Sequence, residues 1–182
     1  MSLPNLDFFN LQDSEPSAKT PFWIYRKEWE KPKIYESREE IKDAVGPKQI
    51  EKDLIYLRMA SVWAENSHCN RRKVGCLIVK DKSIISDGYN GTPTGFSNDC
   101  EDCNDATLPT VLHAEANAIS KLARGTQTSA ESTLYVTLSP CYECAKLIIQ
   151  AGIRRVVFQD LYRETSSLSL LVEGGIELVR IK

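Results

Sequence analysis

The chain has 182 residues, of which 42% are hydrophobic and 26% charged, with 23 Lys and Arg against 25 Asp and Glu. That size suits one compact domain with residues to spare. The composition excludes global disorder, and a formal net charge of -2 excludes a broadly basic nucleic-acid-binding face. No apolar run approaches the ~20 residues of a bilayer span, and no leader pattern opens the chain, so a cytoplasmic protein with no membrane or nucleic-acid partner is expected. Six cysteines in a reducing compartment point toward metal binding or catalysis and away from a disulfide framework.

Residues 1–47 carry 7 basic and 9 acidic side chains, and residues 48–182 carry 16 of each, so the slight acidity belongs to the first segment. Its opening stretch to Pro21, which includes Pro4 and Pro16, follows no steady period, and the aromatic Phe22-Trp-Ile-Tyr25 that follows is suited to packing. It is read as an N-terminal arm that packs on the domain or on a partner subunit, or else as a partly disordered tail. The domain runs from 48 to 182.

From Pro47, a residue suited to a first helical turn, Ile50, Leu54, Leu57, Ser61 and Ala64 fall on one face of a helix that fades near Asn66. Val74–Val79 and Ser83–Tyr89 read as strands of a hairpin turning at Asp81-Lys82. Residues 90–110 form a long loop rich in Gly, Pro, Asn and Asp. Helices follow at Glu115–Arg124, Cys141–Ala151 and Ser166–Glu173, with strands at Thr133–Thr137, Arg155–Phe158 and Ile176–Ile181. Gly125, Gly152 and Gly174-Gly175 supply the stops. Strands alternating with helices predict a mostly parallel sheet covered on both faces, with the hairpin adding one antiparallel strand.

The sharpest feature is His113-Ala-Glu115 followed, 28 residues after the histidine, by Pro140-Cys141-Tyr-Glu-Cys144. One imidazole and two thiolates make a three-ligand zinc site that leaves the fourth tetrahedral position open for water. The i, i+3 spacing of Cys141 and Cys144 at a helix start puts both sulfurs on one side, where the positive helix end favours thiolates. Glu115, two residues beyond the histidine, lies close to the metal but free of it, where general acid–base chemistry needs a carboxylate. The pattern H-x-E…P-C-x-x-C marks zinc nucleobase deaminases. A closed structural zinc knuckle would want a fourth protein ligand beside these three.

At these residues the chain resembles the deoxycytidylate (dCMP) deaminases of the cytidine deaminase-like superfamily, over about residues 50–182. Gly88-Tyr-Asn-Gly-Thr-Pro-Thr-Gly95 resembles that family's GYNGxPxG loop, His113-Ala-Glu-Ala-Asn-Ala-Ile119 its HAExNAI, Leu134–Lys146 its MYVTLxPCxxCAK segment, and Gln150-Ala-Gly-Ile153 its QAGI. The resemblance implies a three-layer α/β/α sandwich around a five-stranded mixed sheet. It implies zinc-dependent hydrolysis of dCMP to dUMP and ammonia, with His113, Cys141 and Cys144 on zinc and Glu115 shuttling protons to N3 and the leaving amine. It places Asn90, Ala114, Ser139 and Tyr162 around the pyrimidine and sugar, although Asn90-Gly91 also reads as a simple turn and Tyr162 as ordinary packing. The 5′-phosphate needs cations or N–H groups; Arg71, Arg72 and Lys73 are candidates, as is solvated surface charge.

The resemblance also implies a second, structural zinc on Cys69 and Cys100, with Cys103 and His68 as further candidate ligands and free surface thiols as the alternative. Cys76, inside an apolar strand, reads as core. Family members are often oligomers, so a homo-oligomer, hexamer or dimer, is expected. They are often activated by dCTP and inhibited by dTTP; Gly91, Thr92 and Gly95, with Arg124, are the candidate loop for such a nucleotide and its Mg²⁺. Competing readings are a deaminase of another cytosine or adenine nucleoside or of tRNA adenosine, or a non-enzymatic nucleotide-binding zinc protein; Glu115 counts against the last.

Overall fold

A computed structural model describes the backbone of Ile34–Tyr35 and residues 46–181. The chain divides into two units, Met1–Glu30 and Lys31–Lys182, and the described residues belong to the second. The expectation that residues 1–47 form an arm packed on the domain or on a partner subunit, or a partly disordered tail, falls outside the described residues except at Ile34–Tyr35 and 46–47.

The elements run β1 (Ile34–Tyr35), α1 (Pro47–Ala64), β2 (Gly75–Lys80), β3 (Ser83–Tyr89), α2 (Ala114–Leu122), β4 (Thr133–Leu138), α3 (Tyr142–Gln150), β5 (Arg155–Asp160), α4 (Ser166–Glu173) and β6 (Glu177–Arg180). The sheet order is β1-β6-β5-β4-β2-β3. β4, β5, β6 and β1 pair in parallel, and β2 is antiparallel to both its neighbours. This is the five-stranded mixed sheet expected from the hairpin and the later strand–helix alternation, extended by the two-residue strand β1 on the edge beyond β6. The hairpin turns on Asp81 and Lys82, both at positive φ (49° and 67°), as a two-residue turn between twisted strands requires.

Both sheet faces are covered, which is why the strands read as nearly continuous apolar runs. Alternate residues serve alternate faces. Cys76, Ile78, Leu134, Val136, Val156, Phe158 and Leu178 pack against Ala114 and Ala118 of α2, Ile148 of α3 and Leu171 of α4. Leu77, Val79, Tyr135, Val157 and Val179 pack against Ile50, Leu57 and Ala60 of α1.

The face of α1 differs from the periodic reading at two positions: Ala60 is fully buried beside a half-buried Ser61, and the other change is at Leu54. Leu54 is 38% exposed and Asp53 is fully buried in its stead. The Asp53 carboxylate receives both Nη atoms of Arg155 (2.9 and 2.7 Å), the Tyr135 hydroxyl (2.7 Å) and Gln49 Nε2 (2.9 Å). A buried carboxylate is tolerable only with such partners; Gln49 is one turn away on α1, whereas Tyr135 and Arg155 come from β4 and β5, far along the chain.

Among the described residues no helix is long and apolar enough to cross a membrane.

Candidate functional site

The parallel strands deliver their C-terminal ends to one edge of the sheet, where α/β folds place ligands. Ser139 follows β4 and Tyr162 follows β5. Val74 precedes the reversed strand β2, Asn90 follows β3, and His113 precedes α2. Hydrogen bonds fasten these connections together. Ser139 N donates to the Asp160 carbonyl (2.8 Å), Tyr162 N to Ser139 Oγ (2.7 Å), and Ser167 Oγ to the Pro140 carbonyl (2.7 Å).

His113 is the N-cap of α2 and Cys141 the N-cap of α3, both with extended backbone. Two helix N-termini therefore converge, each opening on a side chain able to bind a metal. His113 Nδ1 stands 3.2 Å from Cys141 Sγ and 3.5 Å from Cys144 Sγ. Among the described residues these three alone form a metal-capable group, with ligand atoms within 4.8 Å of one another. The electrostatics suit a cation. Hydrogen bonding from Cys144, aided by His113, pulls the Cys141 thiol down to about 4. The Cys144 thiol is pushed up, first because it donates to Cys141 and then by burial. His113 is raised, chiefly by its hydrogen bond to Cys141. One imidazole and two sulfurs held this closely, one of them already favouring thiolate, fit Zn²⁺ with an open fourth position.

Glu115 sits in the first turn of α2 and is only 4% exposed. Burial raises its carboxyl from the usual 4.5 to about 7, against the lowering effect of its own backbone N–H and of His113. A carboxyl near neutrality both accepts and returns a proton readily. Cys76, expected in the core, is fully buried in β2, its thiol pushed up by burial and then by Glu115.

A cleft of about 310 Å³ opens above these groups; Asn90, Ala114, Ser139 and Tyr162 all line it, as do Arg71 and Arg72. Ala114 occupies the first helical position, whose N–H has no partner within the helix. Asn90 is doubly committed: its Oδ1 accepts from Val74 N and its Nδ2 donates to the Arg72 carbonyl, both at 2.8 Å, so the side chain stitches the end of β3 to the segment before β2. Sequence reasoning missed Glu101, Thr107, Asp160 and Arg163. Glu101, Thr107 and Arg163 line the cleft; the adjacency of Arg163 to Tyr162 is the one signal that pointed there.

The second metal set is not assembled. Cys69 and Cys100 are joined as a disulfide, Cys103 is a free exposed thiol and His68 is exposed. Sulfurs bonded to each other have no thiolate to offer a metal. The link ties the 90–113 loop to the segment before β2, and Glu101 strengthens the tie by accepting from the backbone N–H groups of Asn70 and Arg71. In the candidate effector loop, Gly91 pairs with Leu112, Thr92 Oγ1 donates to the Ser97 carbonyl (2.6 Å), and Gly95 has φ 95°. Arg124 is exposed after α2.

Residues 50–160 match the family model described as the cytidine and deoxycytidylate deaminase zinc-binding region. The chain is 36% identical over 134 residues to the deoxycytidylate deaminase of Saccharomyces cerevisiae, covering 68% of this chain but only 43% of the yeast protein. Against the deoxycytidylate deaminase of Mycobacterium phage D29 it is 39% identical over 121 residues, covering 58% of this chain and 92% of the phage protein. Among solved structures, the dCMP deaminase of cyanophage S-TIM5, in complex with dCMP and dUMP, superposes with a TM-score of 0.71 at 39% identity, covering 74% of this chain and 98% of that one.

Proposed function

The chain belongs to the cytidine and deoxycytidylate deaminase family, and from that premise we propose that it hydrolyses dCMP to dUMP and ammonia. The observation that carries the reading is the buried Glu115 carboxyl, beside the His113, Cys141 and Cys144 cluster, in a cleft sized for a nucleoside. The phage and yeast relatives named for this activity support the substrate.

His113, Cys141 and Cys144 would hold a zinc ion, which would supply a bound water of lowered pKa. Glu115 takes one proton of the attacking water and delivers it to N3 of the pyrimidine, then takes the proton of the new C4 hydroxyl and passes it to the amine, which departs as ammonia and leaves the C4 carbonyl. Burial raises the Glu115 carboxyl from the ordinary range, which suits a group that must both take and return a proton. The Ala114 N–H is directed to the pyrimidine O2 and the Ser139 carbonyl to the amino group. Asn90 and Tyr162 wall the sugar and base. Burial of Glu115 excludes bulk water from the proton path.

The finer parts of the reading follow from the same premise. A doubly charged nucleotide does not cross a bilayer unaided, so the enzyme belongs in the cytoplasm with its substrate. In that reducing setting the Cys69–Cys100 pair is open, and its thiolates with Cys103 are then three ligands for a structural zinc. Metal analysis of the reduced protein tests this: two zinc ions per chain support it and one rejects it. The Gly91, Thr92, Gly95 and Arg124 region is the candidate site for a dCTP or dTTP effector with Mg²⁺, in a hexamer or dimer of this chain.

The deciding experiment is ammonia release from dCMP, dCTP, cytidine and deoxyadenosine monophosphate, with and without dCTP as activator. Turnover confined to dCMP is expected. Turnover of another of these in its place overturns the substrate, and stimulation by dCTP decides the regulatory part.

A further inference from the structure

Arg72, at the rim of the cleft, is held at both ends. Its carbonyl oxygen accepts from Asn90 Nδ2 at 2.8 Å, and its Nη2 donates to Asp160 Oδ2 at 2.6 Å. The two partners close β3 and β5 respectively, so two separate strands converge on one arginine. Asp160 is itself fixed, because its carbonyl oxygen accepts from Ser139 N at 2.8 Å, in the connection that leads to Cys141.

Two other arginines line the cleft. Arg71 Nη1 reaches Thr107 Oγ1 only at 3.4 Å, and Arg163 lies over the Tyr162 ring at 5.5 Å. Among the described residues neither is in an ion pair with a carboxylate, so Arg72 is the one cation of the rim with a fixed direction.

The pair contributes little to stability: its side chains are 51% and 53% exposed, and ion pairs so exposed are screened by water. Its consequence is orientation. Asp160 takes a single nitrogen of the guanidinium, leaving the remaining donors of a fork that matches phosphate oxygens two at a time. The rotamer freedom of a long side chain is already spent before a ligand arrives.

We propose that Arg72 is the residue that reads the 5′-phosphate, that Asp160 is the positioning residue that aims it, and that the pair makes the site select a nucleoside monophosphate over the bare nucleoside. The inference rests on the nucleotide reading above. It identifies which cation acts, and it assigns Asp160, an acidic residue beside an anion site, a favourable role that charge alone would deny it.

The test compares zinc-loaded parent, Arg72→Gln, Asp160→Asn and Asp160→Glu proteins. It measures kcat/KM for dCMP and deoxycytidine, and calorimetric binding of dUMP and deoxyuridine. The parent prefers the phosphorylated member of each pair. Arg72→Gln cuts that preference about 10- to 100-fold, as loss of a charged hydrogen bond does. Asp160→Asn cuts it about 3- to 5-fold through KM, and Asp160→Glu restores part of the loss. A merely structural role would weaken both members of a pair equally, and that result overturns the proposal. So does an increase in preference in Asp160→Asn, which would make the carboxylate a repellent. Turnover of dCMP with the preference intact in Arg72→Gln sinks this inference and leaves the reaction standing. Phosphate-dependent dUMP binding that Arg72→Gln abolishes, in a parent that does not deaminate dCMP, does the reverse.

Discussion

Gly88 and Ala114 meet with no room for a side chain between them: a Cβ placed on Gly88 would lie 2.1 Å from the Ala114 carbonyl oxygen and 2.7 Å from Ala118 N. Strand β3 thus lies directly against the first turn of α2, the turn that carries His113 and Glu115. Two further bonds lock the contact. Ser86 Oγ donates to the Ala118 carbonyl at 2.6 Å, and Asn117 Nδ2 to the Tyr89 carbonyl at 3.0 Å. Gly88→Ala must push the helix start away from the sheet. Displacements of about 1 Å in a catalytic constellation cost about 100-fold in rate, and that loss in kcat is expected here, read by ammonia release on the zinc-loaded variant. A variant with parental kcat would show that the turn accommodates the methyl without moving Glu115.

The buried pair of Asp53 and Arg155 sits on the opposite face of the sheet from the site. Its removal therefore acts on stability and not on chemistry. Asp53→Ala leaves the buried Arg155 guanidinium without its bidentate partner, a change that costs about 3–5 kcal/mol. Glu177 still reaches Arg155 Nε at 3.1 Å, which places the expected loss at the lower end. Urea unfolding of the zinc-loaded protein measures it, with kcat/KM at low temperature expected to stay near the parent value. A loss below about 1 kcal/mol would mean that water relieves the stranded charge.

These two sites also mark what a linear reading can and cannot reach. His113, Glu115, Cys141 and Cys144 lie in two short windows, each opening a helix, so spacing alone assembled them. The strands at 76–79 and 134–136 are legible as short continuous apolar runs because both sheet faces are buried. Helix α4 begins and ends where its serine start and glycine stop place it. Asp53 was not legible: a carboxylate on a helix reads as solvent-facing until Arg155, 102 residues away, is known to meet it. Asp160 and Arg163 carry no motif: through the sheet order β5-β4-β2 Asp160 meets Arg72 at the rim and Arg163 comes to line the cleft. The pairing of Cys69 with Cys100, 31 residues apart, depends on the course of an irregular loop that no periodicity describes.

The raised carboxyl of Glu115 makes the metal-free protein sensitive to pH in a definite direction. Unfolded, the group titrates near its ordinary 4.5; folded and without metal, near about 7. The unfolded chain therefore ionises first. The folded state is penalised progressively as pH rises from about 4.5 to 7, and by about 3 kcal/mol in full above that. Glu115→Gln removes the penalty. In the presence of a chelator the variant should unfold at higher urea than the parent at pH 8 and at the same urea near pH 4. A difference between the two proteins that does not change with pH would contradict the burial of an ionisable group at this place.

The most direct test of the account is Glu115→Gln assayed for zinc and for turnover in one preparation. In the proposed mechanism Glu115 moves protons and does not ligate the metal, so its loss leaves the His113, Cys141 and Cys144 set intact. The account predicts parental occupancy of the His113, Cys141 and Cys144 site, with ammonia release from dCMP lowered about 10²- to 10⁴-fold. Near-parental ammonia release from the zinc-loaded variant would contradict it.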